Sequence, residues 1–432
     1  MLEKTRPAWD LEQWPLGRRL VVSGVAVGAA AGVSAYVLNR LTGFFWRWGV
    51  HLVLPLPLEE RWLLILFLPA FGGLLAGLIV HFFSPEARGH GVTAVMRSLR
   101  ENNGQIPGRV ALAKTAATAA TLGFGGSAGQ EGPIIQIGAS VGSFLSRHLG
   151  VPERDWRTLA AAGAAGGLAA SFSIPLAGVF FTMEVLLKDF ANEAFSAVVI
   201  ASVTGTVVAR TLVGTSGYLP MVSYEIGGPM DFLVFGAFAM FCALLGLTYS
   251  RALKRGEHFF GKLRGMPEWL KPSLGGLGVG ATGLFLPEIL GTGHATMVGF
   301  LFKSENFFKT GLLVPGKILA TALTLGSGGS GGALLPTLFI GAAGGGFWAQ
   351  LMQKVPHVAV QPGAYALVGM ACVFTAVFQA PVTGMIMVFE MTQDYGMLPL
   401  VMCCCVIAQL VSKSIGRRGM ELPGKRASDR IP

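Results

Sequence analysis

Apolar positions run in long blocks rather than in the alternation of a soluble amphipathic fold. The first block covers about 20–38 and the second about 63–83. Others follow at about 92–99, 110–124, 133–149, 159–187 and 196–212. In the later part of the chain they lie at about 232–253, 273–290, 312–325, 333–352, 363–378, 382–391 and 397–411. A helix needs about 20 apolar residues to cross a hydrocarbon core. Several blocks are too short for that and are interrupted by Gly or Pro, a pattern that predicts helices broken near the bilayer centre. Pro175 divides 159–187 into two segments. Polar breaks fall at 84–88, 100–109, 152–157 and 214–228. Residues 1–19 are polar and amphipathic, which predicts an interfacial segment with Trp9 and Trp14 at the headgroups. The reading is an all-α polytopic membrane protein. It comprises a segment 1–19, a first membrane half 20–213, a linking loop 214–231, a second half 232–415 and a basic tail 416–432.

Composition sharpens this picture. Of the 432 residues 52% are hydrophobic and 13% charged, against about 25% charged in soluble domains. The 61 glycines suit close helix approach and helix breaks in a membrane. The net charge is +10, and its placement matters more than its size. Lys4, Arg6, Arg18 and Arg19 precede the first apolar block; Lys413, Arg417, Arg418, Lys425 and Arg426 follow the last. By the positive-inside rule both termini are expected in the cytoplasm. Such basic ends anchor to lipid headgroups, and no nucleic-acid partner is expected. Trp9, Asp10, Glu12 and Pro15 break any signal-peptide pattern.

One stretch carries the candidate chemistry: Gly126-Ser127-Ala128-Gly129-Gln130-Glu131-Gly132-Pro133, flanked by apolar sequence. An ionisable group inside an apolar span is costly and reads as functional. The glycines break the preceding helix, and Pro133 suits the first turn of the next. A helix N-terminus at membrane depth offers free N–H groups and a positive dipole end, which is an anion site. Glu131 would place a protein carboxylate where a solution anion would otherwise sit.

The chain also repeats itself. Pro175 and Glu184 stand in the same relation as Pro381 and Glu390, at an offset of 206. Gly126-Ser127 matches Gly326-Ser327 at an offset of 200, and Gly138 matches Gly341 at 203. Two homologous membrane halves with Gly-rich breaks are the pattern of inverted-repeat transporters.

Together the motifs resemble the CLC family of chloride channels and proton/chloride exchangers. Gly129-Gln130-Glu131-Gly132-Pro133 resembles the family's G-x-E-G-P, whose glutamate is a gate. Gly331-Gly332-Ala333-Leu334-Leu335-Pro336 resembles G-G-I-F-x-P, and Gly89-His90-Gly91-Val92-Thr93 resembles G-S-G-I-P. Lys114 and the Pro175–Glu184 and Pro381–Glu390 repeats fit as well. The resemblance implies two inverted-topology halves of tilted and broken helices. It implies a homodimer with one anion pathway per subunit and a central anion held near His90, Gly91, Ala333 and Leu334. Amides suit this task because they bind an anion without a full opposite charge. The prokaryotic type is expected, in an inner (plasma) membrane, with the paired C-terminal regulatory domains of many eukaryotic members absent.

Three departures bear on mechanism. His90 stands at the family's coordinating serine; it donates one N–H when neutral and attracts anions more strongly when protonated. Titration near its reference value of about 6.5 would tune conductance. Val185 stands at the exchangers' internal proton-relay acid and cannot carry a proton. Glu184 beside it is expected to be structural, like Glu390. The family's central-gate tyrosine should fall near 415–417, and no tyrosine follows Tyr395. These features lean towards a channel-like or weakly proton-coupled chloride pathway gated by Glu131. A proton-coupled chloride antiporter is the alternative, and a fluoride exporter a more distant one.

A membrane enzyme or metal protein is disfavoured. The seven histidines lack paired ligand spacing and no nucleophile/base constellation stands out. Cys242, Cys372, Cys403, Cys404 and Cys405 lie in apolar runs without CxxC and read as small buried hydrophobes. No cofactor or metal is expected.

Overall fold

The computed structural model describes residues 14–190, 192–214, 228–302, 306–355 and 360–416. Trp9, the 215–227 stretch of the linking loop and the basic residues from Arg417 onward lie outside them. The first half comprises α1 (Leu16–Trp46), α2 (Leu58–Phe83), α3 (Val92–Glu101), α4 (Arg109–Gly123), α5 (Glu131–His148), α6 (Glu153–Phe172), α7 (Pro175–Phe181) and α8 (Asn192–Val213). The second comprises α9 (Pro229–Lys262), α10 (Lys271–Phe285), α11 (His294–Phe302), α12 (Phe307–Gly326), α13 (Leu334–Met352), α14 (Pro362–Phe378), α15 (Pro381–Thr392) and α16 (Leu398–Gly416). Seven helical segments among the described residues are long and apolar enough to cross a membrane; the outer pair are Leu16–His51 and Leu398–Gly416. The others include short helices such as α7, α11 and α15 that cannot cross alone.

The two halves have the same internal arrangement. α6 ends at Ser173 and α14 at Gln379, both in the left-handed conformation. After each, a proline opens the next short helix, α7 at Pro175 and α15 at Pro381, where its missing N–H costs nothing. α5 lies along α6 as α13 lies along α14, while α1 flanks α6 and α8 as α9 flanks α14 and α16. Between halves, α2 crosses α10 at close range. A Cβ on Gly73 would strike the Pro272 carbonyl, and one on Gly276 the Pro69 carbonyl. Only small residues let two membrane helices approach so closely.

The apolar blocks underestimate some helices. α9 continues past 253 through Arg255, Glu257 and His258 to Lys262, because a helix persists after it leaves the apolar layer. α11 lies just after the Gly291–Gly293 stretch and has too few residues to read as a separate block.

Candidate functional site

The loops that precede α5 and α13 meet at the centre of the molecule. Gly129 and Gly332 exchange backbone hydrogen bonds, Gly129 N to Gly332 O at 2.8 Å and Gly332 N to Gly129 O at 2.6 Å. Around this bridge two kinds of side-chain contact come in mated pairs. Thr118 Oγ1 lies 2.8 Å from Ser330 Oγ, and Ser127 Oγ lies 3.4 Å from Thr321 Oγ1. The Ser127 amide donates to Thr324 Oγ1 at 3.0 Å, and the Ser330 amide to Thr121 Oγ1 at 3.3 Å. Each residue here has its mate 203 positions on, as Thr118 has Thr321. The loop register is therefore Gly126-Ser127 with Gly329-Ser330, and the match to Gly326-Ser327 is corrected by three residues. Gly-Ser recurs at both places, and the cross-half hydrogen bonds select the one that shares the Gly138–Gly341 offset of 203.

Glu131 opens α5 beside this bridge and is wholly buried. Its carboxylate turns back over Gly129, so a Cβ there would clash with Oε2. The backbone N–H groups of Glu131, Leu335 and Gln130 face it. No described residue reaches either oxygen at full hydrogen-bond geometry. A carboxylate at the starts of α5 and α13 sits in the field that favours an anion.

Gly91 is the residue before α3, with φ +54, and packs against Gly132. His90 lies on the same loop, with its carbonyl against Gly132. Its Nε2 lies 3.8 Å from Glu257 Oε1 on α9. Ala333 and Leu334 form the start of α13, and both are buried. The structure thus brings Glu131, Gly91, His90, Ala333 and Leu334 to the same junction of helix starts.

Two lysines support the flanking loops. Lys114 on α4 is fully buried and donates to the Ala87 carbonyl at 2.9 Å and to the Gly89 carbonyl. Lys317 on α12 does the same for Ile289 at 3.0 Å and Gly291 at 2.9 Å. Lys317 also acts electrostatically on Glu131. The sequence reading singled out Lys114 and missed Lys317, although the latter lies at the repeat offset. Tyr249 of α9 was missed too: it is fully buried and its hydroxyl donates to the Ala333 carbonyl at 3.1 Å.

Glu184 and Glu390 lie away from this junction, and each serves the other half. Glu390 accepts from the Leu176 and Ala177 amides at 2.9 and 2.8 Å, at the start of α7. Glu184 accepts from the Val382 and Thr383 amides at 3.3 and 2.8 Å and from the Thr383 hydroxyl at 2.7 Å, at the start of α15. Pro175 and Pro381 open the two capped helices. Val185 is buried within the apolar core. No disulfide and no metal-ligating group of three side chains occurs among the described residues.

A cavity of about 870 Å³ leads towards Gln130 between the C-terminal ends of α1 and α6, and is lined by Arg61, Ser173, Glu288, Thr292 and His294. A smaller one of about 80 Å³ touches Arg88, Glu268 and Gly328. There Arg88 meets Glu268 at 2.5 Å, and Lys271 pairs with the same carboxylate.

Fold and junction define a polytopic membrane protein of two inverted halves, with broken helices directed at a shared centre. The chain belongs to the CLC family: the family model described as voltage gated chloride channel matches residues 72–413. The family is one of channels and transporters rather than enzymes. The chain is 30% identical to the H(+)/Cl(-) exchange transporter ClcA of Vibrio parahaemolyticus, over 91% of this chain and 87% of that one. It is 31% identical to the voltage-gated ClC-type chloride channel ClcB of Escherichia coli, over 82% and 84% of the respective chains. The structure of a slow cyanobacterial Cl-/H+ antiporter superposes with a TM-score of 0.82 at 24% identity, covering 94% of this chain and 96% of that one. That of a CLC-type fluoride/proton antiporter superposes at 0.79 and 23%, covering 92% and 96%. These two likenesses establish the fold.

Proposed function

We propose that the protein carries chloride, or similar small anions, across a lipid bilayer along a pathway between its two halves, with Glu131 as the gate. The observation that supports this best is the place of the Glu131 carboxylate. It lies buried at the starts of α5 and α13, with helix-end amides facing it. Ionised, it competes with chloride for those amides; protonated, it can swing clear. Chloride then rests near His90, Gly91, Ala333 and Leu334, where amides rather than a fixed cation hold it loosely enough to pass. Lys114 shapes this site from behind by holding the Ala87 and Gly89 carbonyls.

The mode we favour is channel-like or weakly proton-coupled, because Val185 is apolar and buried. A proton-coupled chloride antiporter is the second reading. It draws on the exchange transporter among the relatives and on the antiporter structures of the same fold. Fluoride export ranks below both. We read the protein as a homodimer in a prokaryotic inner membrane with both termini cytoplasmic. In an inverted repeat α9 ends on the side where α1 begins. Arg251, Lys254, Arg255 and Lys262 then join Arg18 and Arg19 on one side, as the positive-inside rule requires.

The test is chloride efflux from liposomes recorded together with external pH, starting without a proton gradient. Chloride leaving without protons fits a channel. Chloride leaving with protons entering in fixed proportion fits the antiporter. Glu131→Ala should abolish both pH gating and any proton coupling; proton transport that survives in that variant contradicts the gate.

A further inference from the structure

Glu257 is an acidic side chain set against the candidate anion loop. It stands on α9 and is 42% exposed; the His90 side chain, 15% exposed, is 3.8 Å away. The pair therefore joins solvent on one side to the loop beside Gly132 on the other. α9 is held there firmly, since a Cβ on Gly256 would strike the Ala322 carbonyl of α12. Farther back, Tyr249 of the same helix holds the Ala333 carbonyl at 3.1 Å. α9 thus touches the site at both the His90 and the Ala333 sides. The other charged groups around the pair are engaged or set back. Lys254 acts on Glu257 from the preceding turn of α9. Lys114 of α4 acts on His90 while bound to the loop carbonyls. Arg88 of the loop is paired with Glu268.

We propose that Glu257 and His90 form the inner gate of the anion pathway, the Glu257 carboxylate competing with chloride for the His90 side chain at the cytoplasmic mouth. This rests on the reading that chloride passes His90. An ionised Glu257 repels an arriving anion and holds the imidazole turned towards α9. Protonation or loss of the carboxylate frees the ring N–H for chloride. The inner mouth then has a gate of its own, made by α9 and the loop before α3 rather than by a tyrosine near 415–417.

The experiment is chloride flux in liposomes for wild type, Glu257→Gln, His90→Ser and the double variant, each with the inner-side pH varied. Glu257→Gln should raise flux at neutral inner pH on the order of five-fold, the effect of one unit charge a few ångströms away in a water-like dielectric. It should also flatten the inner-pH dependence while leaving the outer-pH dependence in place. In the His90→Ser background the same substitution should change flux far less, because the pair is already broken. Wild-type rates and inner-pH profile in Glu257→Gln, or an equal gain in both backgrounds, would overturn the proposal with chloride transport intact. No chloride flux in folded wild type would instead overturn the transport reading and the inner gate with it.

Discussion

Gly129→Ala tests whether Glu131 needs the place it occupies. The backbone of Gly129 is not in the left-handed region, so alanine meets no conformational penalty there. Its methyl, however, would clash with Glu131 Oε2 and come within 2.9 Å of Leu335 Cβ. Overpacking of this kind costs about 1–3 kcal/mol. The clash with Oε2 falls on the seated carboxylate alone, because a displaced side chain leaves that space free, whereas the Leu335 contact is common to both states. At about 1.4 kcal/mol per factor of ten, the seated state loses roughly 5- to 150-fold in weight. In the liposome assay, neutral-pH chloride flux should therefore rise towards the acid-pH level, and the acid-to-neutral ratio should fall towards one. Glu131→Ala sets the limiting value for comparison. A folded Gly129→Ala protein with wild-type flux and a wild-type pH ratio would refute the reasoning. The carboxylate would then not block the pathway from above Gly129.

Two other outcomes follow from the capping and loop geometry. Glu390→Ala strips the Leu176 and Ala177 amides of their acceptor and should cost on the order of 2–4 kcal/mol in detergent unfolding. Glu184→Ala should do the same for α15, and Glu390→Gln should recover part of the loss. Unchanged melting together with altered proton coupling would assign these carboxylates to transport instead. Glu86 is held below the usual carboxylate range by backbone hydrogen bonding first and by the Ser84 hydroxyl at 2.8 Å next, with Arg109 at 2.9 Å assisting. A depressed carboxylate adds stability above its unfolded pKa and loses it as pH falls through the folded value. Ser84→Ala should thus destabilise more at neutral pH than in acid below about pH 4; an equal loss at both would count against this network.

Much of this was legible in the sequence, for local reasons. Pro175 and Pro381 fix helix starts, and Gly126 to Pro133 spells a break followed by a helix with a carboxylate in its first turn. What escaped depends on contacts across the chain. The spacing from Pro381 to Glu390 looks like one motif, yet Glu390 caps the helix that Pro175 begins. The loop register slipped because Gly-Ser occurs at both 326–327 and 329–330; the Gly138–Gly341 offset of 203 favours the second, and Thr118 facing Ser330 fixes it. Lys317 was within reach, since it stands 203 residues past Lys114; an isolated lysine in an apolar run carries no motif of its own. Glu257 could not be found from pattern, because its partner lies in the other half.

The two halves share a backbone plan but not a chemistry, and the difference gives the junction its direction. At the loop register of 203, Gly129 mates with Gly332 and Pro133 with Pro336, so both backbones make the same bridge and the same helix start. The intervening positions diverge: Gln130 faces Ala333 in the register, and Glu131 faces Leu334. The flanking loops, Gly89-His90-Gly91 and Gly291-Thr292-Gly293, diverge only at their centre. Both are held by a buried lysine through two carbonyls. Symmetric scaffolding thus presents two sets of helix-end amides, and side chains make them unequal. The Glu131 carboxylate of α5 faces amides of both helix starts, Leu335 of α13 included, whereas the apolar Leu334 at the matching position supplies no anion in return. In the proposed pathway an anion entering from the Gln130 cavity would meet Glu131 first, whereas one from the His90 side would meet Glu257 and His90 before the helix-end amides. The asymmetry arises from a few side chains on a duplicated backbone, so it can be altered at Gly129, Glu131 or Glu257 without rebuilding the fold.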